Sequence, residues 1–182
     1  MTGGLMVDID TLGDMKPLNQ VVFGIGSNLG DRLENLQNAV DRLAETPNVI
    51  LVDISKVYET KPVGPVQDQP DFLNIVMIAD SILEPLTLLE RVQAIEEAYG
   101  RERTVTGGPR TLDIDLITVG RRTSDTEELS LPHPRAHERA FVLVPWLDIE
   151  PKAVLPEGEV RELVKLIDVS GVHLIGEQIL MP

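Results

Sequence analysis

The sequence predicts an α+β fold, a ferredoxin-like β-α-β-β-α-β sheet with helices packed on it and a C-terminal helical extension. Three observations predict it. Four stretches rich in β-branched and other apolar residues read as strands, at residues 21–26, 49–58, 72–79 and 112–120. Two stretches between them, Leu33 to Leu43 and Pro85 to Tyr99, repeat apolar residues at helical spacing. The order of these six segments is that of a split β-α-β unit, which sets helices on one face of a single antiparallel-rich sheet.

The 182-residue length suits one domain with a full core and leaves room for one catalytic module. Residues 1–19 show no sustained periodicity and hold Gly3, Gly4, Gly13 and Pro17. They read as a loosely ordered extension ahead of a single domain over residues 20–182. No basic leader precedes an apolar run, and no uncharged run is long enough to span a bilayer. A cytoplasmic protein without a membrane partner is expected, with a monomer as the working assembly. Cysteine is absent, which removes disulfides and thiolate metal sites. The net charge of −14 argues against a nucleic-acid surface. That charge is uneven: residues 101–139 hold seven of the eleven arginines and seven acids, so this fifth of the chain is neutral. An arginine-rich segment in an acidic chain points to a small anionic ligand, because guanidinium forks bind phosphate.

In chain order, Val21 to Gly26 reads as a buried strand, and Ser27-Asn28-Leu29-Gly30 as a turn. Asp31 and Glu34 fit a capping box for the first helix, which Thr46-Pro47-Asn48 ends. Gly24, Gly26 and Gly30 miss the dinucleotide-binding fingerprint by one residue. The second strand, 49–58, alternates with Ile50, Val52, Ile54 and Tyr58 in phase. A loop from Glu59 to Asp71, with Pro62, Gly64, Pro65 and Pro70, is too long for a hairpin turn. The third strand sets Phe72 and Asn74 on one face, an arrangement equally suited to core and edge or to holding a ring. Pro85 opens the second helix and Gly100 closes it. Residues 136–147 read as helical in part, and Val160, Leu163, Val164 and Ile167 mark a last amphipathic helix.

Gly108-Pro109-Arg110-Thr111-Leu112-Asp113-Ile114-Asp115 carries the most chemistry. Asp113 and Asp115 leave the same face of a strand. Spacing alone leaves them either as the polar side of an amphipathic strand or as oxygen ligands for a divalent cation. Arg101, Arg103 and Arg110 favour the second, since Mg²⁺ shares its sphere with substrate phosphates. His133 in its loop is open to a structural or a ligand role.

Taken together, these blocks resemble the 6-hydroxymethyl-7,8-dihydropterin pyrophosphokinases of folate biosynthesis. The similarity covers about residues 20–167, in order. It includes Gly26 to Gly30, Gly64-Pro65 with Asp68 to Asn74, Gly108 to Asp115, Pro132 to Arg135, and Arg139-Ala140-Phe141. The resemblance implies transfer of the terminal diphosphate of ATP to the pterin hydroxymethyl oxygen, with release of AMP. It implies two Mg²⁺ ions on Asp113 and Asp115, and a catalytic set of Arg101, Arg103, Arg110 and the two aspartates. The ATP site would draw on Glu96, Arg101, Arg103, Arg110, Ile117, His133 and Arg139. Phe72 and Phe141 would sandwich the pterin ring, Asn74 would bond its edge, and backbone at Thr60 and Val63 would complete that edge. The chain departs from the family pattern at Phe72, where tyrosine is frequent, at Gly107, where some members have tryptophan, and at Pro134, where some have an aromatic. Two other readings share these residues: an Asp-x-Asp nucleotidyltransferase and a pterin- or nucleotide-binding module without catalysis. The first needs its Gly-Ser close in sequence to the aspartates, whereas Gly26-Ser27 lies far upstream.

Overall fold

The computed structural model describes residues 16–100 and 108–182. Most of the expected N-terminal extension, and with it Arg101 and Arg103 of the expected site, lie outside the described residues.

The structure is a mixed α/β one with an antiparallel sheet at its centre. Strand β1 (Asn19–Ser27) leads to helix α1 (Arg32–Ala44), then β2 (Val49–Ile54), β3 (Tyr58–Thr60) and β4 (Phe72–Ser81). Helix α2 (Pro85–Ala98) and strand β5 (Asp113–Val119) follow. In the sheet, β1 lies between β4 and β5; the far edge of β4 carries β3 at its start and β2 at its end. Every one of these pairings is antiparallel. The single strand expected over 49–58 is therefore two, β2 and β3.

The alternation expected within it also changes phase. A bulge in the β2–β4 pairing falls between Leu51 and Asp53. An inserted residue flips every side chain beyond it. Before it Val49 is buried, Leu51 packs against the core and Ile50 and Val52 are exposed; beyond it the even-numbered Ile54 packs against the core.

Odd-numbered β1 residues Val21, Phe23 and Ile25 face α1 and α2, meeting Leu36, Val40, Leu43, Leu88 and Val92. Even-numbered Val22 faces the other way and joins Val76, Ile78 and Ile117. That second face is covered by α3 (Ala140–Ile149) and the single-turn α4 (Val160–Leu163), through Val142, Leu143, Trp146, Val160 and Leu163. Helices thus cover both faces, not one as expected. Strand β4, enclosed on both sides, is apolar nearly throughout for that reason. The last helix is shorter than its apolar spacing suggests: a 3₁₀ turn, Val164–Leu166, replaces its second half.

Local signals account for the helix ends. Asp31 accepts a hydrogen bond from the Glu34 N–H at 3.0 Å, capping α1. Pro85 occupies the first turn of α2. Two short hairpins, β6–β7 (Ser124–Asp125, Ser130–Leu131) and β8–β9 (Val154–Leu155, Gly158–Glu159), decorate the second half. The chain then returns as β10 (Val172–Leu174), which extends the sheet beyond β3. Beyond it Ile179 is buried against the α1 side, and Gln37 on α1 exchanges two hydrogen bonds with the Leu180 backbone. No helix among the described residues is long and apolar enough to cross a membrane.

Candidate active site

The even face of the sheet is covered by α3 only over part of its length, and a pocket opens where that cover stops. Its floor is the end of β1, where two glycines replace side chains. Register sets Gly24 opposite Asp115 and Val76, and Gly26 opposite Asp113 and Asn74. Residues directly opposite share a face of an antiparallel sheet. A Cβ on Gly26 would stand 2.9 Å from the Asn74 amide oxygen, so glycine here keeps the floor flat and Asn74 in place.

One end of the pocket is charged. Asp113 and Asp115 both line it, with Arg110 and Arg139. Arg110 pairs with Asp113, and Arg139 donates to Asp115 at 2.7 Å. The other end is aromatic and amide-bearing: Phe72, Phe141, Asn74, Thr60 and Val63 line it. The Asn74 Nδ2 donates to the Thr60 hydroxyl at 2.7 Å, and both residues are buried. This fixes the amide and leaves its oxygen toward Gly26. The Arg139 guanidinium lies 5.5 Å from the Phe141 ring centre, within cation–π range. Strand β3, which delivers Thr60, is tied to α3 by the Tyr58 hydroxyl donating to Asp148 at 2.8 Å. Burial, together with that acceptor, pushes the Tyr58 phenol up to about 12.

Three expected residues stand outside the pocket lining. Ile117 is fully buried beneath Gly24 and Val142; its carbonyl accepts from the His133 N–H at 2.8 Å. Glu96, on α2, is buried on the opposite face, where Oε1 accepts from the Ile114 N–H at 2.8 Å. It thereby holds β5 between the two aspartates. His133 lies behind Asp115, with Nε2 3.9 Å from the carboxylate. Its Nδ1 accepts from the Arg135 N–H, so the neutral ring carries its proton on Nε2, toward Asp115. Burial and the Arg139 charge push its pKa down to about 4, against an opposing pull from Asp113.

Three polar residues at the pocket had no role assigned from the sequence. Lys61 and Gln69 line it. Asn28 stands behind it, 2% exposed, bonded to the segments on either side. A signal for Asn28 existed in the Gly-Ser-Asn-Leu-Gly turn, but its partners are visible only in three dimensions. Ser27, by contrast, is buried on the odd face and accepts from Asn35 at 3.1 Å. The sheet brings Gly26 beside Asp113 despite their separation in sequence, yet the neighbouring hydroxyl points away, unlike the arrangement a nucleotidyltransferase needs.

Comparison with known proteins gives the family. The model of the 7,8-dihydro-6-hydroxymethylpterin-pyrophosphokinase family matches residues 22–151. Among curated relatives, the 2-amino-4-hydroxy-6-hydroxymethyldihydropteridine pyrophosphokinase of Pseudomonas aeruginosa is 41% identical over 150 residues, which is 82% of this chain and 91% of the relative. The enzyme of the same name from Methylorubrum extorquens is 42% identical over 159 residues, 87% of this chain and 99% of the relative. Among solved structures, wild-type HPPK-DHPS of Plasmodium falciparum with pteroate superposes with a TM-score of 0.67 at 14% identity, over 85% of this chain and 45% of that one. That likeness is one of fold. With a family match across most of its length and relatives covered nearly end to end, the chain belongs to the 7,8-dihydro-6-hydroxymethylpterin-pyrophosphokinase family and is an ATP-dependent pyrophosphokinase.

Proposed function

We propose that this protein transfers the terminal diphosphate of ATP to the hydroxymethyl oxygen of 6-hydroxymethyl-7,8-dihydropterin, giving AMP and the pterin diphosphate for folate biosynthesis. One observation carries the reading: a single pocket joins two aspartate–arginine pairs at one end to two phenylalanines and a fixed asparagine amide at the other. The reading also takes the sheet as ferredoxin-like, supported by the strand order β2–β4–β1–β5 with α1 and α2 as the crossovers.

Asp113 and Asp115 offer hard oxygen donors from alternate positions of β5, which fits two Mg²⁺ ions sharing their spheres with phosphate oxygens and water. Asp113 and Asp115 would hold such ions, which when bound would neutralise phosphate charge. The remaining work falls to the chain. Arg110 and Arg139 hold the carboxylates in place; once the carboxylates face a cation, the same guanidinium forks donate to phosphate oxygens. Arg101, Arg103 and the Nε2–H of His133 belong to this phosphate-binding set in the proposal. Phe72 and Phe141 use two of only six aromatic side chains to hold a flat heteroaromatic ring. Asn74 reads the ring's polar edge, with backbone at Thr60 and Val63. Glu96 and Ile117 act from behind, fixing β5 and the His133 loop.

The hydroxymethyl oxygen attacks the β-phosphorus in line. The bond from that phosphorus to the oxygen bridging the α-phosphate breaks, AMP leaves, and the hydroxyl proton is released to water. No strong general base is invoked, because positioning and electrostatic stabilisation dominate transfers of this kind. Product analysis tests the reading: with ATP, Mg²⁺ and the pterin alcohol, AMP and pterin diphosphate should appear together and only with all three present. ADP formation would make the protein an ordinary kinase. A folded protein without turnover would leave only a binding module.

A further inference from the structure

The aromatic end of the pocket lies between strands on one side and a helix on the other, and one buried hydroxyl ties the two together. Tyr58 pairs opposite Asn74 and Thr60 opposite Phe72, so all four side chains share the face of the sheet that α3 covers. Tyr58 is 8% exposed, and its hydroxyl donates to the Asp148 carboxylate at 2.8 Å. With the phenol pushed up to about 12, it keeps its proton and stays the donor. On α3, Phe141 and Asp148 stand two turns apart and so project from one side of the helix. Asp148 meets the sheet at Tyr58, and Phe141 lines the pocket. Between them lies Pro145, which has no N–H for the Phe141 carbonyl four residues before it. The helix's own ladder therefore holds its first turn less firmly, and contacts with the sheet decide where Phe141 stands. One such contact is Arg139 with Asp115 at 2.7 Å, but in the proposed function that pair gives way to phosphate. Neither Tyr58 nor Asp148 lines the pocket, so their bond persists when substrates enter.

We propose that Tyr58 is a positioning residue for the pterin: through Asp148 it sets the distance between the sheet that carries Phe72 and the helix that carries Phe141. This rests on the proposed function, in which the ring lies between those two phenylalanines. Tyr58 itself touches no substrate. A slot that widens by about 0.5–1 Å forfeits roughly a quarter to a half of the dispersion energy on its loosened side. The strand does not depend on this bond. β3 is paired on both sides, with β4 and β10, so removing the hydroxyl leaves the sheet whole. Asp113 and Asp115 lie on β5, on the far side of β4 and β1 from the tie. Arg139 reaches the phosphate end on a long side chain with many rotamers, which follows a small shift of the helix where a stacked ring does not. Pterin binding should therefore feel the loss of the bond, and ATP binding should not.

The test sets the KM for 6-hydroxymethyl-7,8-dihydropterin against the KM for ATP. Pterin binding is also read by calorimetry with Mg²⁺ and α,β-methylene ATP, an analogue whose bridging carbon blocks the bond cleavage. Tyr58→Phe keeps the buried ring and removes only the hydroxyl. Asp148→Ala removes the acceptor from the other side, and Asp148→Asn keeps an oxygen that accepts. Tyr58→Phe and Asp148→Ala should each raise the pterin KM and Kd about fivefold, the affinity equivalent of one ordinary hydrogen bond. The ATP KM and kcat should stay within about twofold of the unaltered protein, since the loss is one of pterin binding alone. The double variant should raise the pterin KM no further, because both changes remove the same interaction. Asp148→Asn should keep the pterin KM of the unaltered protein. Folding is checked by circular dichroism and thermal melting; a merely structural bond would lower the melting temperature and leave the ratio of the two KM values unchanged. Should Tyr58→Phe fail to fold, Asp148→Ala, at the exposed end of the bond, carries the test. A folded variant of either kind whose pterin KM is unaltered, or whose two KM values rise together, overturns the proposal. Normal production of AMP and pterin diphosphate by the unaltered protein would then leave the proposed function standing. An unaltered protein that forms no pterin-dependent AMP would overturn both.

Discussion

Asp113 and Asp115 are paired with arginines rather than left open to solvent, so their charge is balanced before any cation binds. If they hold Mg²⁺ as proposed, Asp113→Asn and Asp115→Asn should each lower kcat about 10²–10³-fold without loss of fold, read by AMP formation over a Mg²⁺ titration. The neighbouring His133 gives a pH dependence. Its folded pKa lies near 4, below the ordinary 6.5, because burial and Arg139 disfavour the imidazolium. A group depressed in this way contributes stability that is complete above 6.5 and is lost as the pH falls toward 4. Proton NMR should find the ring neutral at pH 5.5, and His133→Gln should remove this part of the stability loss between those limits in denaturant titrations. Residue types at this scale were legible: both aspartates, Arg110, Arg139, Phe72, Asn74 and Phe141 meet in the pocket. Partners were not. Glu96 stands on the far face of β5 and Asn28 spans two loops, and neither placement leaves a trace in local spacing.

Among the elements, β1 departs furthest from an ordinary strand. Its glycines at 24 and 26 make it the pocket floor while its odd residues anchor the core. Gly26→Ala would drive a methyl to 2.9 Å from the Asn74 oxygen and displace the amide held by Thr60. A loss of about 1–3 kcal/mol in stability is expected from this overpacking, with pterin KM rising more than ATP KM in steady-state assays. Gly24→Ala, whose nearest neighbour would be the Ile117 side chain at 3.4 Å, should be milder on both counts. Strands and the first two helices could be read from the sequence because each carries its own period. The bulge inside β2 and the break between β2 and β3 could not, since both arise from pairing with β4 and not from the period of one strand. The short last helix differs too: its apolar spacing is helical, but a 3₁₀ turn without a buried residue takes up its second half.

At the scale of the whole molecule, the C-terminal return matters more than its composition suggests. Residues 172–182 add β10 to β3, bond Val57 through Ile175, bury Ile179 and clasp Gln37. None of these contacts is local, so no period in the sequence marks the segment. A protein ending at Gly171 should lose about 2 kcal/mol or more, from Ile179 burial alone, measured by urea unfolding. Its pterin KM should rise as well, because β3 delivers Thr60 to the pocket and would become a bare edge. The meeting of β4, β1 and β5 at Gly26 has a thermodynamic consequence. Asn74 and Asp113 come into one site only when β1 has paired with both β4 and β5, so a species lacking either pairing lacks one wall. A ligand that spans them is therefore a selective probe of the native state. Its melting temperature should climb steadily with the logarithm of ligand concentration above the dissociation constant, and thermal shift alone can rank candidate substrates without any turnover.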